Sequence, residues 1–449
     1  MDLIGFTATL FLLSLGTYPV VEARIASLPL PAILLGLLLG FLLLNGLAGY
    51  RMFLTSHDKR IFTASTLLAT WLALATFASS AAFGYVVDKQ QYVGIGYIFA
   101  FPVLALIFRH LKVVWLLWAL LGGCVLALSI GYIRFITLGG GILSEHILGG
   151  YWGIKYLPST RNSDVLYAIV SSLVATGLYA IARTSLIRVV LVFVAIASFA
   201  AVILSLSRGA WIALSTGYIA LLWFTRKQHV AVRRRLQTIG VIVLAGIVVA
   251  TWLHSTGTYT DYDVIVDRMR SITDTGDPRV SNRDRLDLAM DAVVGILRHP
   301  TGVGVGNIAY ALGRPVHSIG SAENAWLTIG LEGGWLALAA FSLLFFWLFL
   351  SINPTVPGRA VPPNDLSSAI GMALVVAIFS YLMFNYELNS LFLWSVLAVA
   401  WGTKRRVRDA INWQDIGADG GTQCAGHNRR SVALDSGPDS SGGRNNHCR

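Results

Sequence analysis

Cysteine and charge are what this chain has least of. Three cysteines occur in 449 residues. Cys124 falls in a long apolar stretch and Cys424 and Cys448 in a polar tail, which excludes a disulfide framework. Charged residues make up 13% of the chain against 55% hydrophobic ones, and the net charge is +11. No basic stripe with interleaved aromatics lies outside the flanks of the apolar blocks, so the charge is not the footprint of a nucleic-acid binder. The N-terminus lacks both a positive region and a small-residue cleavage site, so its first apolar block reads as a retained helix and not a removed signal peptide.

Apolar length is what the chain has in excess. Blocks such as Leu186 to Leu206 and Leu236 to Leu253 are longer and less interrupted than soluble core helices or strands. A bilayer core needs roughly 20 apolar residues in helical form, which gives about twelve spans. They fall near 3–21, 31–49, 61–83, 93–108, 113–133, 164–182, 186–206, 209–225, 236–253, 323–350, 367–385 and 388–402. The expected fold is all-α: a polytopic membrane helix bundle over 1–408 with one large external loop, 254–322, containing amphipathic helices. The remainder, 409–449, is rich in Gly, Ser, Asp and Asn and reads as a disordered cytoplasmic tail.

Orientation follows from the basic residues, which short cytoplasmic loops hold in excess. Arg51, Lys59, Arg60, Arg109, Lys112, Arg183, Arg188, Arg226, Lys227, Arg233, Arg234, Arg235, Lys404, Arg405, Arg406 and Arg408 share one side. Both termini are therefore expected in the cytoplasm. Much of the positive charge then serves topology and attraction to anionic membrane lipid.

The long loop has arginine but no lysine. Arg268, Arg270, Arg279, Arg283, Arg285, Arg298 and Arg314 face a similar number of aspartates. Arginine is a rigid fork of donors that matches phosphate or carboxylate, although a solvated, salt-bridged loop would look the same. Ser281 and Asp284 resemble a helix-opening capping pair. Leu286, Ala289, Met290, Val293, Val294 and Leu297 then form one apolar stripe, as expected of an amphipathic helix lying on the membrane face or against the bundle. Arg285 stands in its first turn, where free N–H groups and the helix dipole favour an anion.

Pro300 stops this helix, and Gly302, Gly304 and Gly306 allow tight turns and close backbone approach. The run is not a dinucleotide fingerprint, because it follows a helix and a proline with no βαβ unit around it. A second arginine, Arg208, lies between two apolar blocks almost without a loop, at the end of a tight helical hairpin. Ionisable residues at such depth usually face a protein interior or a water-filled cavity; an arginine snorkelling to headgroups is the other reading.

Four motifs in order resemble the O-antigen ligase and O-antigen polymerase family. They are Ser-Arg-Gly-Ala-Trp at 207–211, Arg285 ahead of His-Pro, the His-Pro-x-Gly-Val-Gly-x-Gly run at 299–306, and Asn324-x-aromatic-Leu followed by Glu332-x-Gly. The similar part covers about 186–400. The resemblance implies a metal-independent membrane glycosyltransferase without a cofactor, in the bacterial inner membrane. Its donor would be an undecaprenyl-diphosphate-linked glycan, and its acceptor a hydroxyl of lipid A-core, of another glycan or, in relatives, of a protein. Membrane lipids are the other expected partners, and Arg208 and Arg285 would hold the donor diphosphate.

The chain departs from the family in two places. Glu323 stands where ligases have His before the Asn, and Ala289 where an aromatic usually follows the loop Arg. The acceptor-activating base is then either Glu323 or His317, six residues earlier; each also has an ordinary structural reading. A base that takes the hydroxyl proton and cations that meet the leaving diphosphate are what such a transfer needs. Glu332, a lone carboxylate inside an apolar block, is expected to make a structural hydrogen bond or support the site beside Asn324. The rival reading is a transporter or flippase of lipid-linked glycans, but such proteins usually show internal repeats and polar groups near the midplane, and neither is evident here.

Overall fold

The computed structural model describes residues 3–17, 24–25, 28–47, 56–83, 89–109, 111–137, 161–205, 207–226, 234, 237, 282–312, 324–352, 366–385 and 390–403. The expected span 236–253, the C-terminal tail and the candidate bases Glu323 and His317 lie outside these residues.

The described elements are helices apart from one short antiparallel pair, β1 (Arg24–Ile25) with β2 (Leu28–Pro29). In chain order the helices are α1 (Leu3–Thr17), α2 (Leu30–Leu47), α3 (Ser56–Phe83), α4 (Lys89–Phe108), α5 (Val113–Thr137), α6 (Arg161–Ile181), α7 (Ser185–Leu204) and α8 (Arg208–Thr225). They continue with α9 (Asn282–Arg298), α10 (Ile308–Ala311), α11 (Ala325–Ile352), α12 (Leu366–Leu382) and α13 (Leu391–Gly402). Every other block expected to span coincides with one of them.

Among the described residues, four stretches are long and apolar enough to cross a membrane: Asp58–Ala82, Val113–Ile133, Ser185–Ile203 and Ala325–Ile352. These and the shorter apolar helices pack as neighbours: α3 along α11, α8 along α12, α6 along α7, α1 along α5 and α4 along α13. Small residues let backbones approach at these contacts. A Cβ on Gly217 would touch Leu173 and Ala377, and one on Gly123 would strike the Leu12 carbonyl.

Among the described residues, an ion pair is buried. Arg109, read from sequence as one of the basic residues marking the cytoplasmic side, holds Asp58 at 2.7 Å with side chains 6% and 0% exposed. The pair joins the start of α3 to the residue after α4. Opposite charges brought together in this way satisfy each other where either alone would be strongly unfavourable.

The expected single span 323–350 needs correcting. Gly334, at φ 65° and ψ −162°, interrupts α11. A straight helix would set Trp326 and Phe341 about 22 Å apart along its axis. Their ring centroids are instead 4.8 Å apart, and Trp326 also meets Phe345 at 5.5 Å. The chain therefore reverses at Gly334, and Ala325–Gly333 folds back along Trp335–Ile352 as a helical hairpin. The second arm, about 18 residues and roughly 27 Å long, still approaches the thickness of a bilayer core.

Candidate functional site

The reversal at Gly334 leaves main-chain groups without helical partners, and a buried group of this kind must find another. The carbonyls of Leu331 and Glu332 accept from Val303 N (2.9 Å) and Gly304 N (2.8 Å). The Gly333 carbonyl accepts from the Trp71 indole N–H of α3 at 2.6 Å. On the second arm, Trp335 N donates to the Pro300 carbonyl at 3.1 Å. The His-Pro-Gly run thus caps the hairpin with its own backbone.

Close contact explains the glycines. Gly302 and Gly304 have φ of 83° and 82°; a Cβ on Gly302 would enter the Glu332 carbonyl, and one on Gly304 would come within 2.9 Å of the Thr76 backbone. The loop is tied further by Val305 N donating to Thr76 Oγ1 (2.9 Å) and Gly306 N donating to Glu332 Oε1 (3.0 Å). Gly302 N donates to His299 O and Asn307 N to Gly304 O. Every main-chain N–H from Gly302 to Asn307 is therefore committed inside the protein. The loop is a fastener, not a phosphate cradle.

Glu332, 3% exposed, makes the structural hydrogen bond expected of it. Thr76 and Trp71 were not legible as site residues, because a hydroxyl and an indole in an apolar helix carry no local signal.

Arg208 is the first residue of α8. Its turn is self-organised: Ser205 Oγ accepts from Ser207 N at 3.2 Å and donates to Val202 O at 2.7 Å. The Trp211 indole donates to the same Val202 carbonyl, and N-cap Ser207 accepts from Ala210 N. These bonds account for each of the Ser and Trp residues in the Ser-Leu-Ser-Arg-Gly-Ala-Trp motif. Gly209 lies flush against the end of α12, where an added Cβ would stand 2.6 Å from Phe384 Cβ and 2.7 Å from Asn385 Nδ2.

Asn324 caps α11. Its side-chain oxygen accepts from Trp326 N (2.8 Å) and Leu327 N (3.1 Å), while its amide donates to Met383 O at 2.8 Å. The starts of α8 and α11 thus flank the same short stretch, Met383 to Asn385. Arg208 and Asn324 arrive there from helices that are distant in sequence. The region 383–385 was not singled out from sequence.

Arg285 lies in the first turns of α9, one helical face with Ala292 and Ile296. Those two residues are buried, and a Cβ on Gly330 of α11 would meet Ile296 at 2.6 Å. Glu323, immediately before Asn324, and His317 lie outside the described residues.

A bundle of apolar helices with a fastened re-entrant hairpin at one end is the architecture of a multi-pass membrane protein with a preorganised polar region. Residues 192–342, about a third of the chain, match the family model of O-antigen ligase. The matched part runs from α7 through the hairpin turn, and over it the chain is similar to the O-antigen ligase family of surface-polysaccharide synthesis. No curated protein matches the chain.

Proposed function

We propose that this protein moves a glycan from an undecaprenyl-diphosphate carrier to an acceptor hydroxyl at the outer face of the bacterial inner membrane. The acceptor is lipid A-core or the end of another carrier-linked glycan. In this reading the bundle makes about twelve passes, both termini are cytoplasmic, and the end where α8 starts and α12 finishes faces outward.

The observation that carries the proposal is that the starts of α8, at Gly209, and of α11, at Asn324, both abut Met383 to Asn385, inside or beside the segment matching the family. Arg208 stands at the N-terminus of α8, where unpaired N–H groups and the helix dipole add to its own charge. Arg285 lies in the first turns of α9. Both are assigned to the donor diphosphate, whose negative charge grows as the glycosyl bond breaks and is stabilised by fixed cations.

Asn324 fixes the start of α11; Glu323, the residue before it in sequence, is assigned as the base that takes the acceptor proton, and His317 is the alternative base. Glu332 supports the site by fastening the loop. No step requires a metal ion.

Deleting the gene and analysing cell-surface and carrier-linked glycans tests this reading. Unligated polymer on the carrier indicates a ligase, and single repeat units indicate a polymerase. Accumulation of the carrier-linked glycan on the cytoplasmic side would instead indicate a flippase, and unchanged glycans would dismiss the proposal.

A further inference from the structure

Helix α9 has three distinct sides. Ala292, Gly295 and Ile296 are buried, with Ile296 against α11. Met290, Val293, Val294 and Leu297, at the spacing of one helical stripe, are 61%, 44%, 42% and 63% exposed. Asp287, Asp291 and Arg298 are exposed on a third side, between the other two. A helix wholly in water would have no reason to turn four large apolar side chains outward next to three charged ones. One at a boundary between hydrocarbon and water would have this pattern.

We propose that α9 is an interfacial helix of the bilayer. The acyl chains of the leaflet at the site end cover Met290, Val293, Val294 and Leu297, and Asp287, Asp291 and Arg298 remain in water.

The height of the helix fits this assignment. Trp335 begins a hairpin arm of roughly 27 Å, nearly a bilayer core, so Trp335 and the turn at Gly334 stand near one boundary. Trp335 is 51% exposed, as interfacial tryptophans are. Ile296 packs beside Gly330, and Leu338 lies at the same place. Each is four residues from the turn, about 6 Å along its arm, and interfacial helices sink roughly 5–10 Å. Pro300, just after α9, binds the Trp335 N–H, so the exposed apolar side of α9 continues into the exposed Trp335 and Leu336.

This inference rests on the bundle being embedded in a membrane as proposed above, and not on the transfer chemistry. Failure of the glycan assay would leave it standing.

Nitroxide scanning tests it on the full chain in nanodiscs of phosphatidylethanolamine and phosphatidylglycerol. Cys424→Ser and Cys448→Ser remove the tail thiols, and single labels are placed through Met290→Cys, Val293→Cys, Leu297→Cys, Asp287→Cys and Asp291→Cys. Only samples eluting as one species are compared, and three apolar positions guard against one misfolded variant. Oxygen should collide several-fold more often than nickel-EDDA at 290, 293 and 297, and the ratio should invert at 287 and 291. Ready access of nickel-EDDA to the apolar positions would overturn the proposal by placing them in water. Slow collision with both reagents would overturn it by showing a protein cover, either a second copy or residues 238–281.

Discussion

The carboxylate of Glu332 accepts the main-chain N–H of Gly306 at 3.0 Å, across a turn in which the Glu332 carbonyl already holds Gly304. One residue thus closes both ends of a three-residue arc. Replacing Glu332 by Ala removes this part-buried bond, at a cost of about 0.5–1.5 kcal/mol. Glu332→Gln retains an acceptor and should lose much less. Thermal unfolding of the purified protein in nanodiscs measures the difference; equal loss in both variants would mean that the carboxylate charge, and not its acceptor geometry, matters.

Gly334→Ala should be the most damaging glycine change. Its φ of 65° disfavours a side chain, and a Cβ would enter the Pro300 carbonyl. Backbone strain alone accounts for about 1–3 kcal/mol. Gly36→Ala, with nothing within 4 Å of the new Cβ, is the control and should leave the folded yield unchanged. Size-exclusion profiles of the two variants decide it.

Asn324 combines two duties that substitutions can separate. Asn324→Ala removes the cap of α11, worth about 1 kcal/mol, together with the bond to Met383. Asn324→Asp can still cap but has no amide for the Met383 carbonyl. Transfer should fall in both, while the melting temperature should fall mainly in Asn324→Ala. Full transfer by Asn324→Asp would show that the tie to residue 383 is dispensable.

Arg208→Ala and Arg285→Ala should each reduce transfer on the order of 10²–10³, the usual loss of one fixed charge at a developing anion. Lysine should rescue poorly, because it lacks the planar fork. Transfer assays with purified carrier-linked donor, normalised to folded protein, check this. Near-normal turnover by either alanine variant would remove that arginine from the diphosphate site.

Glu323→Gln should keep donor binding and lower transfer by roughly 10²–10⁴, the range for removing a general base. His317→Ala should be mild. The reverse pattern in paired binding and transfer assays moves the role to His317. Two active variants would leave proton removal to some other group.

The helices were legible because crossing a bilayer demands long apolar runs, and such runs admit few alternatives. The end of α9 at Pro300 and the turn after it were legible for a similar reason, since proline and positive-φ glycine act locally. The reversal at Gly334 was not. Gly333-Gly334 inside an apolar block reads equally as a small-residue packing face, and only Trp326 against Phe341 reveals the fold-back. Nor could sequence show Asn324 reaching Met383 or Thr76 holding Val305, because neither partner lies within the local pattern. The cap formed by Ser207 was hidden within a motif recognised only by resemblance.

The bond from Val305 to Thr76 spans 229 residues, and that from Gly333 to Trp71 spans 262. At about 5–20 residues per second of synthesis, α3 waits on the order of ten to fifty seconds for the chain that completes it. During that interval Thr76 and Trp71 stand in a nascent protein whose fastener has not been made. The hairpin is thus a late keystone: a ribosome that stops before residue 335 leaves helices whose fastener has not been made.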